Sequence, residues 1–115
     1  MVKILVHQYV TILGINPFEK WFNRLEPVAA AKVAAALYKL ELGNYSNVKS
    51  LGGGVFESKI SFGPGYRIYF GQDGDELVIL LGGGTKKQQN RDIEISKKYW
   101  LEYKLLKKQD KKPCH

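Results

Sequence analysis

The chain has 115 residues, 44% of them hydrophobic and 25% charged, with a formal net charge of +7. That length holds one domain with one core, and no apolar run nears the roughly 20 residues of a membrane span. Cys114 is the only cysteine, which excludes an internal disulfide and fits a reducing cytoplasm, and Met1–Val6, interrupted by His7-Gln8, is too short for a signal peptide.

Val2–Val6 reads as a first strand. Asn16-Pro17 is a helix-start signal, because Asn can cap and Pro suits the first helical position. Phe18, Trp21, Phe22 and Leu25 then recur at helical spacing. A second, alanine-rich helix runs from near Pro27 through Ala29, Val33, Leu37 and Leu40, and Gly43-Asn44 ends it. The two helices read as an antiparallel hairpin with one apolar face.

From Tyr45 the period becomes that of strands. Val48–Leu51 is a short strand, broken by Gly52-Gly53-Gly54. Val55–Phe62 alternates, Gly63-Pro64-Gly65 turns the chain, and Tyr66–Gly71 returns beside it. Asp73-Gly74-Asp75 makes the next turn, with Asp73, Asp75 and Glu76 read as solvated. Leu77–Leu81 is apolar on both faces, as a central strand is. A final helix follows through Ile93, Ser96, Trp100 and Tyr103, with Thr85-Lys86-Lys87-Gln88 spaced as a capping box and Asn90 a competing cap. The order gives an α+β two-layer domain: a helical hairpin on one face of a mainly antiparallel twisted sheet, plus a C-terminal helix.

The charge is concentrated at the end. Lys104, Lys107, Lys108, Lys111 and Lys112 stand against Asp110 alone, leaving 13 basic and 10 acidic residues, a net +3, in positions 1–103. Residues 1–106 are therefore expected to form the domain and 107–115 a frayed basic tail. Such a tail suits polyanions and solubility equally.

Strand alternation sends Phe56, Ile60, Phe62, Ile68 and Phe70 toward the helices. Glu57, Lys59, Arg67 and Tyr69 then share the other face. A planar cation beside a phenol suits phosphate or nucleobase contact, although an arginine on a solvated face explains Gly63–Phe70 as well. Gly82-Gly83-Gly84 before Lys86 and Lys87 lets a backbone approach a phosphate at a helix start, or serves only as a flexible connection.

Several chemistries drop out. The glycine run lacks the spacing of a nucleoside-triphosphate loop. His7 and His115 are the only histidines, which argues against a paired-histidine ribonuclease. Adjacent Cys114 and His115 offer only adventitious chelation, and no serine sits in a nucleophile elbow. No metal or other cofactor is expected. Trp21 and Trp100 read as packing anchors.

The ordered set Gly43-Asn44, Gly54–Ile60, Gly63–Phe70 and Leu80–Lys86, with Gln89, Asp92 and Ile93, resembles the RelE/ParE superfamily of type II toxin–antitoxin toxins. It is most similar to the HigB-like branch, the addiction-module killer proteins, across roughly residues 15–103. That branch usually has Glu-Leu-Arg-Ile where Glu57-Ser58-Lys59-Ile60 stands, and Asp where Thr85 stands.

The resemblance implies a RelE-like fold and a ribosome-dependent, metal-independent messenger RNA endonuclease. It also implies as partners the ribosome and mRNA, and a cognate HigA-like helix-turn-helix antitoxin through which the complex reaches operator DNA. Within that reading Arg67 clamps the phosphate. Lys59 is a candidate base, since a neighbouring like charge favours its neutral form, and Glu57 is its rival. Lys86 stabilises charge or protonates the leaving oxygen, and Tyr69 stacks or donates. Lys49, Lys87, Gln89 and Arg91 are expected to contact nucleic acid. ParE-like members instead poison DNA gyrase, which makes a gyrase inhibitor the second reading. A non-catalytic antitoxin-binding module is the third.

Overall fold

Asn16 caps the first helix as its place before Pro17 predicts: its side-chain oxygen accepts from the Glu19 N–H at 3.0 Å. The computed structural model describes residues 3–110. Along it run β1 (Leu5–Gln8), α1 (Pro17–Phe22), α2 (Pro27–Glu41), β2 (Val48–Gly52) and β3 (Val55–Ile60). Then come β4 (Tyr66–Asp73), β5 (Leu77–Thr85), a 3-10 turn at Lys86–Gln88, and α3 (Gln89–Asp110). Helix α2 ends on Gly43, whose φ of 79° is the left-handed conformation such a cap needs. Its N–H donates to the Leu40 carbonyl, and the Asn44 N–H donates to the Lys39 carbonyl, each at 2.9 Å.

The five strands form one sheet in the order β1-β5-β4-β3-β2. Only the β1–β5 pairing is parallel. The α+β class, the mainly antiparallel sheet and the helices on its first face are as the sequence predicts. On that face Phe18 of α1 and Val33 and Leu40 of α2 pack with Ile60, Ile68, Phe70, Val78 and Leu80. Each fully buried aliphatic side chain there contributes about 1.5–3 kcal/mol.

The second face is closed as well. Val55, Ile79, Leu81 and Tyr9 form a separate core with Trp100 of α3. The indole of Trp100 lies directly on Gly71 of β4, where any side chain would collide with it. The layers are therefore three rather than two, and the face expected to be open carries α3.

Five further expectations are corrected. The first strand starts at Leu5, later than the sequence suggests, and Val2 lies outside the described residues. Strand β5 continues through Gly82–Gly84 to Thr85, so these glycines are strand residues and not a loose connection. No capping box forms, since Thr85 makes no side-chain cap bond. At the other end, helix α3 runs through Asp110 instead of fraying from Lys107. Lys107 pairs with Asp73, which also accepts a 2.7 Å bond from the Tyr103 hydroxyl. Asp73 is thus engaged and not simply solvated. Residues 111–115, with Cys114 and His115, lie outside the described residues.

Candidate active site

Two cross-strand rows build the site. Glu57 of β3 pairs with Tyr69 of β4, which pairs with Gly82 of β5. The adjacent row is Lys59, Arg67 and Gly84. Directly paired residues share a face, so the structure brings Glu57, Lys59, Arg67 and Tyr69 together as alternation requires.

Their burial divides them. The Arg67 and Glu57 side chains are only 6% and 5% exposed, and Arg67 Nε lies 3.4 Å from Glu57 Oε1. Gln89, the first residue of α3, donates to the same carboxylate oxygen at 2.8 Å. Arg67 Nη1 donates to the Gly65 carbonyl at 3.4 Å, a long bond. That carbonyl also accepts the Lys86 N–H at 3.1 Å, which anchors Lys86 beside the guanidinium. The glycine turn thus ties Arg67 and Lys86 to one oxygen. Arg67 Nε itself makes no aligned hydrogen bond among the described residues.

Tyr69 is fully buried, so the expected stacking on a base is ruled out. Its hydroxyl has no hydrogen-bond partner among the described residues. Burial chiefly pushes the phenol far above its ordinary range, the Glu57 and Asp92 carboxylates add to the shift, and Arg67 opposes it. Tyr69 therefore stays protonated and keeps its O–H as a donor. It lines a small pocket of about 140 Å³ between α1 and α3, together with Trp21, Arg24, Asp92 and Ser96. Burial raises the Asp92 carboxyl, opposed by Arg91.

The remaining cations face solvent. Lys49 stands opposite Glu57 in the register, on the edge strand β2. Lys86, Lys87, Gln89 and Arg91 surround a shallow hollow of about 420 Å³ where α3 begins. Lys49, Lys59, Lys86, Lys87 and Arg91 are all exposed, and Gln89 is half-buried. Sequence reasoning assigned no role to Asp92, which meets Gly84 and faces the pocket. Its signal was the spacing Asp92, Ser96, Trp100, which puts it on the sheet-facing stripe of α3.

Such a site can hold a phosphate between exposed amines while a fixed guanidinium and a protonated phenol lie beneath. Residues 20–99 match the family model described as phage derived protein Gp49-like (DUF891). The chain is also 41% identical over 81 residues to an uncharacterized protein of Haemophilus influenzae, an alignment spanning 70% of this chain and 82% of that protein. The family match encloses both rows of the site and the start of α3. This chain belongs to the Gp49-like family of phage-derived proteins.

Proposed function

We propose that this protein is a toxin of a type II toxin–antitoxin module, of the RelE/ParE superfamily and its HigB-like branch, that cleaves messenger RNA on the ribosome. Gp49-like proteins are associated with toxin–antitoxin toxins, which supports the class. The observation that carries the reaction is the placement of Arg67. It is held by Glu57 and the Gly65 carbonyl, with exposed Lys59 paired across the strands and Lys86 anchored at the same carbonyl.

In this reading Lys59 takes the proton of a ribose 2′-hydroxyl. The freed oxygen attacks the adjacent phosphorus, and the bond to the 5′-oxygen breaks. The products are a 2′,3′-cyclic phosphate and a 5′-hydroxyl. Arg67 and Lys86 stabilise the extra negative charge of the phosphorane, and Lys86 protonates the leaving oxygen. Glu57, occupied by Arg67 and Gln89, positions the guanidinium. The ribosome supplies the substrate geometry, the cytoplasm is the site of action, and a cognate antitoxin neutralises the protein.

The burial of Arg67 favours a second reading, in which the ion pair is structural and the chain acts by binding alone. Tightly controlled expression with mapping of mRNA 5′ ends on translating ribosomes separates the two. Lys59→Ala and Lys86→Ala are the informative variants, because both side chains are exposed and their loss spares the core. Codon-phased cuts in the wild type, reduced about a hundredfold in each variant, are the expected result. Growth arrest with intact messages and broken DNA would point to gyrase, and absence of toxicity to the binding module.

A further inference from the structure

Away from the Arg67 rows, α2 carries a stripe that the fold leaves open. Lys32, Ala35, Ala36 and Lys39 recur at the spacing of one helix face. They form one wall of a pocket of about 270 Å³. The other wall is the segment after α2, with Ser46 and Asn47, and the end of β3, with Ser58, Lys59 and Ser61. The two alanines leave the space that longer side chains would fill. Lys32 is placed at one end by its ammonium, which lies 5.4 Å from the centre of the Phe62 ring.

The charge of this pocket is uncompensated. Among the described residues Lys32, Lys39 and Lys59 line it, and no aspartate or glutamate does. The two ion pairs formed among the described residues, Arg67–Glu57 and Lys107–Asp73, lie elsewhere. The polar lining is equally one-sided. Ser58 takes a position on the core-facing side of β3, between Phe56 and Ile60, where an apolar residue would pack, and it is 5% exposed. A hydroxyl kept there at the cost of core burial serves the pocket better than the core.

We propose that this pocket binds a phosphoryl group. Two lysine ammonium groups from α2, two serine hydroxyls beside Ser58 and an asparagine amide supply more donors than the two oxygens of a carboxylate can use. A phosphate offers three or four acceptor oxygens and greater charge. Its source is either the backbone of a nucleic-acid strand or a free phosphate monoester. The inference does not depend on the nuclease reading, since none of its residues except Lys59 belongs to the Arg67 rows.

The test is an amide NMR titration of the full chain, first with inorganic phosphate and then with a short single-stranded RNA. Wild type is compared with Lys32→Ala/Lys39→Ala and with Lys32→Arg/Lys39→Arg; both positions are exposed, so the fold is kept. Saturable shifts confined to Ser46, Asn47 and the Ser58–Ser61 segment are expected. Affinity should fall about tenfold or more in the alanine variant and persist in the arginine variant. Tighter binding of the RNA than of phosphate assigns the pocket to a strand, and equal binding assigns it to the free monoester. Shifts that scatter without saturation to Lys97 and Lys104, equal affinity in the alanine variant, or no response to either probe would overturn the proposal.

Discussion

Asp92 of α3 closes against Gly84 of β5 so tightly that its carboxylate occupies the space a side chain at Gly84 would need. The same relationship recurs between Trp21 and Gly83 and between Trp100 and Gly71, where rigid indoles replace the carboxylate. Gly84→Ala is expected to lower unfolding free energy by about 1–3 kcal/mol. Gly83→Ala and Gly71→Ala should cost more, since an indole cannot turn aside as a carboxylate can. Urea unfolding of the three variants measures the order, and equal losses would contradict it.

The Arg67–Glu57 pair predicts an asymmetry. Glu57→Ala leaves a buried guanidinium without its counter-charge and is expected to cost about 3–5 kcal/mol. Replacing both partners with apolar residues of similar volume should cost less than Glu57→Ala alone. A double-mutant cycle in urea tests this. A simple sum of the two single losses would mean that the pair is not coupled.

Tyr69 gives a prediction of opposite sign. Its hydroxyl is buried without a partner among the described residues, so Tyr69→Phe should leave stability unchanged or raise it by about 1 kcal/mol. Thermal unfolding reads this directly, and a clear loss would reveal a bond to the hydroxyl.

The Tyr103 phenol is pushed from its ordinary value of 10.0 up to about 12, by burial first and then by its hydrogen bond to Asp73. The folded state therefore holds this proton more firmly than the unfolded chain does. Stability from this group is fully present below pH 10 and is lost as pH rises toward about 12. Ultraviolet titration of the phenols checks it: in Asp73→Ala the Tyr103 titration should move back toward 10.0, and an unmoved titration would remove Asp73 as a cause.

Much of the fold was legible because local rules and burial agree. Phe56, Ile60, Ile68 and Phe70 alternate as a half-buried strand pair must, and the observed register joins Phe56 to Phe70 and Ser58 to Ile68. The caps at Asn16 and Gly43 followed from local chemistry alone. Gly82–Gly84 misled because three glycines favour a turn on propensity, whereas here each sits in a strand. Gly83 and Gly84 admit Trp21 and Asp92, partners that belong to other segments. No local pattern announces such partners.

The site was legible in membership and not in depth. Alternation put Glu57, Lys59, Arg67 and Tyr69 on one face, and the register agrees. What covers that face depends on where α3 docks, and the spacing of Ser96, Trp100 and Tyr103 defines a stripe without naming its target. The aspartate turn was misjudged for the same reason, since Lys107 and Tyr103 reach Asp73 from 30 residues or more away.

Helix α3 is fastened near both ends, by Gln89 to Glu57 and by Lys107 to Asp73. The 18 intervening steps make a rod about 27 Å long. Ser96 and Trp100 are buried between the two attachments, so the helix and its two contacts belong to one packed element. A chain of contacts thus runs from Asp73 through Lys107 along the helix to Gln89, Glu57 and the guanidinium of Arg67. The corner that holds Arg67 and the lysine-rich end of α3 are therefore two points of one structural element.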